Sequence, residues 1–182
     1  MYCSHYLTSY GSGIVYATDQ GVVKVEIPDL SRHETAHHSV RPELEPSEIT
    51  VHAALMLQRY FKGEHIDFGG IPVVLDGLTR FRHDVLDVIR NLAYGDICSY
   101  GQVARECGSP YAARAVGGAL ASNPIPVIIP CHRVVASDGS LTGYSAPGSE
   151  NTKRALLKME GIEFKGLLVV TNQLVIHRTP GR

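Results

Sequence analysis

A segment spaced by prolines, residues 123–135, restricts the fold of this chain more than any other feature. It reads Asn-Pro-Ile-Pro-Val-Ile-Ile-Pro-Cys-His-Arg-Val-Val. A proline fixes φ and removes a backbone donor, so the segment cannot continue a helix or a central strand for long. Its apolar residues nevertheless favour burial. The pattern therefore predicts an extended path around a buried apolar stretch, which holds Cys131 and His132 in one place.

Cys131 and His132 form a pair that can carry nucleophilic chemistry. A thiol becomes a good nucleophile when an adjacent base or positive charge removes its proton, and His132 and Arg133 could supply that influence. Adjacent Cys-His pairs also arise by chance, and a buried cysteine is often an inert core thiol. Taken alone, the pair leaves both interpretations open.

The composition is typical of a globular protein that buries a core. The 182 residues, 44% hydrophobic and 19% charged, suffice for one ordinary domain or two small ones. The longest apolar runs are too short for a membrane span, and the first residues lack a secretory pattern. We therefore expect a cytoplasmic protein whose four cysteines stay reduced, without a disulfide framework.

The charges are distributed unevenly along the chain. The total is 17 Lys and Arg against 18 Asp and Glu. Residues 1–75 hold five basic and nine acidic residues, a net of −4, and residues 76–182 hold twelve and nine, a net of +3. A surface that binds phosphate is therefore expected in the second half.

The first half reads as a small sheet with one helix. Residues 13–18 and 22–27 are rich in β-branched side chains and flank a turn with Asp and Gly, which predicts a hairpin. Residues 28–47 hold three prolines and no apolar periodicity, and are predicted to form a loop. An amphipathic helix is expected over 50–62, and a short strand or crossing segment over 71–75.

The second half reads as mostly helical. Thr79 can cap a helix that ends near Tyr94, and Ser99 can cap a short helix over 100–106. After a turn with Gly, Ser and Pro, another helix is expected over 111–121. Two helices joined in this way have the outline of a helix-turn-helix, although an ordinary helical corner has the same outline.

Further motifs accompany the Cys-His pair in a fixed order, and together they resemble one family. They cover residues 79–165 and resemble the O6-alkylguanine-DNA alkyltransferases, also called methylated-DNA–protein-cysteine methyltransferases. The residues before 79 match only in general outline. The motifs are Tyr-Gly-Gln-Val-Ala at 100–104, Arg-Ala-Val-Gly-Gly-Ala at 114–119, Asn-Pro at 123–124, Pro-Cys-His-Arg-Val at 130–134, Gly139, Thr-Gly-Tyr at 142–144, and the stretch from Lys153 to Gly161.

The resemblance implies a stoichiometric reaction at Cys131. This cysteine would take the alkyl group from O6-alkylguanine in double-stranded DNA once per molecule, without cofactor or metal. His132 would take the thiol proton through a bound water, and Glu160 would orient and charge that histidine. Asn123 would brace the turn beside the active-site segment. Tyr100 would crowd the target phosphate and donate a proton toward the departing guanine.

The resemblance also implies contacts with DNA and a pocket for the extruded base. Arg114 would enter the base stack and fill the gap that a flipped nucleotide leaves. The remaining DNA contacts would come from Tyr100 and from small or basic residues, namely Ala115, Gly117, Gly118 and Arg133. The pocket would be lined by Tyr144, Ser145 and Val134.

The predicted fold is α/β of the α+β type with two parts. Residues 1–76 would form a small N-terminal sheet-plus-helix domain, ribonuclease-H-like by the resemblance. Residues 77–182 would form a mostly helical domain that carries both the helix-turn-helix and the acceptor cysteine. The protein is expected to act as a monomer, away from membranes, and at the nucleoid if its source is bacterial or archaeal.

Several alternatives stay open at this point. Residues 33–37 read His-Glu-Thr-Ala-His, a zinc-protease pattern that here lacks an apolar stripe and a third ligand. A lesion sensor without transfer activity and a transcription regulator are rival functions, and the presence of Cys131 argues against both. Residues 145–152 form a loop that is longer than the family's usual one by a couple of residues, so the range of alkyl groups stays open. Activity on O4-alkylthymine is a separate open alternative.

Overall fold

The computed structural model describes residues 1–31, 44–171 and 174, and its first half contains a three-stranded antiparallel sheet. The strands are β1 (Tyr2–Thr8), β2 (Gly11–Ala17) and β3 (Val22–Glu26), in the order β1-β2-β3. The predicted hairpin is confirmed as β2 and β3. The sequence did not predict β1, which pairs along its whole length with β2 from Tyr2–Ala17 to Thr8–Gly11.

One helix, α1 (Glu48–Tyr60), packs against β1 and β2. It begins two residues earlier than predicted, because Ser47 caps it in a reciprocal pair of hydrogen bonds with Thr50. The expected segment at 71–75 is no strand: it makes a single isolated bridge, between Val73 and Val22. The described parts of the predicted loop, 28–31 and 44–47, contain neither helix nor strand. Residues 33–37 lie outside the described residues.

Two helices of the second half begin directly after the capping residues predicted from the sequence. Helix α2 (Arg80–Arg90) begins after Thr79, and α3 (Tyr100–Glu106) begins after Ser99, whose side chain accepts from the Gln102 amide. Helix α4 (Ala113–Ala121) starts two residues later than predicted, and α2 ends at Arg90 rather than near Tyr94. Helix α2 packs against both α3 and α4.

Short elements surround the segment that carries the cysteine. Strand β4 (Cys98–Ser99) pairs in parallel with β5 (Val134–Val135), which directly follows a single 3-10 turn, Cys131–Arg133. Helix α5 (Ser149–Met159) comes next. A small hairpin of β6 (Phe164–Lys165) and β7 (Leu168–Val169) follows it.

The main buried cluster joins both halves of the chain. Leu57 and Tyr60 from α1 belong to the same cluster as Ile89 from α2 and Ile125 and Ile129 from the proline-spaced segment. All five are fully buried, and burial of each isoleucine contributes about 1.5–3 kcal/mol. The segment before Cys131 is thus anchored in the core, as its apolar residues predicted. The fold is mixed α/β; the boundary at 76/77 stays a prediction.

Among the helices in the described part of the chain, none is long and apolar enough to cross a membrane.

Candidate active site

Cys131 lies at a cavity of about 310 Å³ between the two halves of the chain. Its side chain is 7% exposed. The cavity is bounded on one side by β3 and the residue after it, and on the other by Asn123 and residues 144–147. Just before the cysteine, Val127 has a φ of 71°, which is rare for a β-branched residue and marks a backbone held by its surroundings.

Asn123 connects both ends of the segment that leads to Cys131. Its Nδ2 donates to the Ile129 carbonyl (2.8 Å) and to the Sγ of Cys131 (3.1 Å), and its Oδ1 accepts from the Ile125 amide (3.0 Å). This is the bracing position that the resemblance implied. The same amide offers the sulfur a donor, which favours the thiolate.

His132, which follows Cys131 in the sequence, forms a fully buried pair with Glu160. The Nε2 of His132 lies 2.9 Å from the Oε1 of Glu160. Arg133 donates to both carboxylate oxygens, at 2.8 and 2.9 Å. Burial opposes ionisation, but His132 and Arg133 more than offset it and hold the pKa of Glu160 well below its usual range. Glu160 is therefore a carboxylate and accepts hydrogen bonds only.

The ionised Glu160 determines which nitrogen of His132 is free. Because the carboxylate can only accept, Nε2 carries the hydrogen and Nδ1 is left with a lone pair. Nδ1 is buried, and no hydrogen-bond partner for it occurs among the described residues. Burial also lowers the pKa of His132, although Glu160 opposes this effect. His132 is thus a neutral base at physiological pH, and Nδ1 is its accepting atom.

Cys131 needs such a base. Burial raises the pKa of its thiol, while the hydrogen bond from Asn123 and the charge of Lys153 partly offset that effect. The resting sulfur therefore keeps its proton at neutral pH. Cys98 is a buried thiol as well, with a pKa raised to about 12, and is inert.

Lys153 is a buried cation to which the sequence analysis gave no role. It is 1% exposed, and its Nζ donates to the carbonyls of Val134 (2.7 Å) and Thr142 (3.1 Å). Burial lowers its pKa to about 8. The signal was its spacing: Lys153, Leu156 and Leu157 share the buried face of α5, where a lysine is unusual.

Tyr100 stands beside this lysine at the start of α3. Its hydroxyl donates to the Thr142 carbonyl at 2.5 Å. Gly143 makes room for it, since a Cβ there would lie 3.0 Å from the Tyr100 hydroxyl oxygen, whereas a Cβ on Gly117 would be in ordinary van der Waals contact with the ring at 3.8 Å. Proton donation from Tyr100 to a guanine stays a prediction, and it requires release of the bond to Thr142.

The exposed face of α4 carries three of the six residues predicted to contact DNA. Arg114, Ala115 and Gly118 are exposed, and a Cβ on Gly118 would meet nothing within 4 Å. Gly117 is half-buried against Tyr100 instead. Tyr111, just before α4, is 100% exposed. No DNA contact was predicted for Tyr111 from the sequence.

Two predicted site residues lie elsewhere. The prediction that Arg133 contacts DNA is wrong, because its guanidinium is buried and bonded to Glu160 and to the Leu92 carbonyl (2.6 Å). Val134 does not line the cavity: its side chain is fully buried in the main core. A residue that follows the 3-10 turn points into the protein, which the linear sequence does not reveal.

The other two predicted pocket residues do lie at the cavity. Tyr144 is 7% exposed there, and its hydroxyl has no hydrogen-bond partner in the described part of the chain. Ser145 donates to the Ala121 carbonyl at the end of α4 (2.8 Å). The loop after Tyr144 was predicted to span residues 145–152, but it ends at residue 148, because α5 begins at Ser149.

Comparison with known proteins gives a consistent result. The DNA-binding domain of 6-O-methylguanine DNA methyltransferase matches residues 80–162. The methylated-DNA–protein-cysteine methyltransferase of Haemophilus influenzae is 32% identical over 164 residues, 90% of this chain and 88% of that protein. The enzyme of the same name from Methanosarcina acetivorans is 36% identical over 142 residues, 78% and 81% of the two chains.

A solved structure agrees over most of the chain. Mycobacterium tuberculosis OGT, determined in complex with DNA, superposes with a TM-score of 0.70 and 32% identity, covering 88% of this chain and 92% of that one. The similarity therefore extends over most of both halves of the chain. This chain belongs to the 6-O-methylguanine DNA methyltransferase family.

Proposed function

We propose that this protein repairs alkylated DNA directly, by moving the alkyl group from O6 of guanine in duplex DNA to Cys131, once per molecule. The observation that carries the proposal is the thiol at the cavity, hydrogen-bonded by Asn123 and followed in sequence by the buried His132–Glu160 pair. Relatives at 32% and 36% identity bear the name of this activity.

The reaction begins with removal of the thiol proton. The proton passes through a water to Nδ1 of His132, and Glu160 stabilises the imidazolium that forms. The thiolate then attacks the alkyl carbon. A sulfur–carbon bond forms while the bond from that carbon to O6 breaks, and its electron pair stays on the oxygen. Proton donation from the side of Tyr100 neutralises the guanine, and the stable thioether ends the activity of the molecule.

The DNA must present its base outside the stack. Extrusion of a nucleotide costs a few kcal/mol, and Arg114 offsets part of this by filling the gap. In this proposal α3 and α4 act as a helix-turn-helix, and the small residues Ala115 and Gly118 let α4 approach the backbone closely. Tyr144 and Ser145 would line the pocket for the base.

The remaining parts of the proposal concern the setting. The N-terminal sheet and α1 form a ribonuclease-H-like unit. The protein acts as a monomer in the cytoplasm, associated with the nucleoid in a bacterial or archaeal cell. O4-alkylthymine is a second candidate substrate, which a duplex containing O4-methylthymine tests in the mass assay described next.

The test is the intact mass of the protein after incubation with a duplex that contains O6-methylguanine. Wild-type protein should gain one methyl group, while Cys131→Ala should gain none and Cys107→Ala should behave as wild type. Tight binding of the lesion without a mass change would identify a sensor instead. Absence of both binding and mass change would rule out the proposal.

A further inference from the structure

The last residue of α1, Tyr60, reaches the buried pair from the other half of the chain. Its side chain is fully buried, and its hydroxyl donates to the Oε1 of Glu160 at 2.6 Å. The same hydroxyl lies 3.5 Å from the Nε2 of His132. The contact joins residues that are a hundred positions apart in the sequence. The reaction described above gives Tyr60 no role.

We propose that Tyr60 is a positioning residue for alkyl transfer, which donates to Glu160 and so limits how strongly that carboxylate charges His132. The inference rests on the proposed function. It assigns to the N-terminal half a direct part in preparing the base.

The direction of the hydrogen bond from Tyr60 agrees with a hydrogen on Nε2 of His132. A phenol can donate to Glu160 or to Nε2 of His132, since both acceptors are near. A donation to Nε2 would require that nitrogen to be bare, and the hydrogen would then sit on Nδ1, the atom that has to accept the thiol proton. By donating to Glu160, Tyr60 leaves Nε2 as the donor and Nδ1 as the acceptor.

The hydrogen bond from Tyr60 also reduces the effective negative charge on Glu160. Oε1 of Glu160 accepts three donors: the hydroxyl of Tyr60, Nε2 of His132 and Nη2 of Arg133. A short hydrogen bond to a carboxylate takes up part of its negative charge. Without the phenol, Oε1 would interact more strongly with the imidazolium. The pKa of His132 would therefore rise. On acidification, the imidazole would become protonated, and could no longer accept the thiol proton, at a higher pH than in the wild type.

The other groups near the pair do not titrate in the same range. Arg133 stays charged, and Lys153, whose pKa is about 8, stays charged below neutral pH. Burial raises the pKa values of Tyr60, Tyr94 and Tyr144, so they stay neutral. Burial also raises the pKa of the Cys131 thiol. Loss of activity toward acid pH therefore reports on His132.

Tyr60→Phe removes the hydroxyl and keeps the ring, so packing is retained. Tyr94→Phe is the matched control, because the Tyr94 hydroxyl donates to the Met159 carbonyl, one residue from Glu160, and not to the carboxylate. Single-turnover methyl transfer from the O6-methylguanine duplex is measured at saturating DNA between roughly pH 5 and 9. The binding constant for the same duplex is measured alongside.

In Tyr60→Phe the acid limb of the rate profile should shift to higher pH by about half a unit or more, since a charged hydrogen bond is lost, with unchanged DNA affinity. Tyr94→Phe should match wild type. An unshifted acid limb in Tyr60→Phe, or an equal shift in both variants, would overturn the inference. Nitrogen NMR of His132 in the DNA-free proteins should show the same rise of its pKa. If the wild type transfers no methyl group, the proposed function fails, and this NMR titration still decides the role of Tyr60.

Discussion

The Nδ2 of Asn123 lies 3.1 Å from the Sγ of Cys131 and donates a hydrogen bond to it. The same nitrogen donates to the Ile129 carbonyl, so one amide group holds both the sulfur and the backbone that leads to it. This arrangement links the geometry of the segment to the reactivity of the thiol. The bond to sulfur gains strength as the thiolate forms, because the acceptor becomes charged.

Asn123→Ala should therefore slow alkyl transfer. A hydrogen bond to a charged group contributes about 1.5–3 kcal/mol, which corresponds to a rate loss of about tenfold to a hundredfold. Single-turnover kinetics on the methylated duplex measure this loss, with the folded fraction followed by circular dichroism. Asn91→Ala is the control, since that exposed amide donates only to the Asp87 carbonyl at the end of α2. A wild-type rate for Asn123→Ala would refute the role of this bond.

Arg114→Ala should affect transfer from DNA and leave transfer from a free alkylated guanine base unchanged. Extrusion costs a few kcal/mol that Arg114 no longer partly offsets, so the duplex rate should fall by about tenfold or more. A free base needs no extrusion. Both rates come from the intact-mass assay, and Arg59→Ala, an exposed arginine of α1 paired with Glu64, serves as control. Equal losses on both substrates would show that Arg114 supports the fold instead.

Arg133→Gln should destabilise the protein and leave DNA contacts intact. Removal of one partner of a buried ion pair leaves the other charge uncompensated and costs about 3–5 kcal/mol. Arg90→Gln is the comparison, because its half-buried guanidinium donates to the backbone carbonyls of Gly69 and Ile71 and should contribute about 1.5–3 kcal/mol, less than the ion pair. Chemical denaturation measures both. If Arg133→Gln kept its stability but lost affinity for DNA, the correction made above would itself be wrong.

Lys153 should give the protein a pH-dependent stability above neutrality. Its pKa is about 8 in the folded protein, whereas an unfolded lysine titrates near about 10.4. Between these values the unfolded chain holds a proton that the folded chain has released, so stability rises with pH. The difference in unfolding free energy between wild type and Lys153→Met should therefore increase from about pH 8 to about pH 10. For Lys158→Met, at an exposed position of the same helix, that difference should stay flat.

Local signals were sufficient to predict most of the helices. Thr79 and Ser99 start α2 and α3 because a capping side chain satisfies amides only two or three residues away. The burial of the segment before Cys131 also followed from its own residues. Strand β1 was missed since its polar and apolar side chains do not alternate clearly. Its pairing with β2 reflects the neighbouring strand rather than its own pattern.

The parts of the site that were missed depend on contacts between distant residues. The approach of Tyr60 to Glu160 requires the packing of α1 against the second half, which no short motif encodes. Arg133 was assigned to DNA as one of the residues for which the resemblance implied a DNA contact. Its inward direction follows from the 3-10 turn, and that turn is visible only in three dimensions.

One wall of the cavity at Cys131 comes from the N-terminal sheet and the other from the segment that carries the cysteine. In the proposed reaction the chemistry depends on Asn123, Cys131 and His132, whose substitution should slow or abolish transfer. The opposite wall comes from Val25 and Glu26 of β3, which take no part in bond making. If the cavity receives the alkyl group as proposed, substitutions on that strand should change the space for this group while the reacting atoms keep their places. Under the proposed function, the range of alkyl groups can therefore change through substitutions in β3. The rate of transfer depends instead on the residues around Cys131.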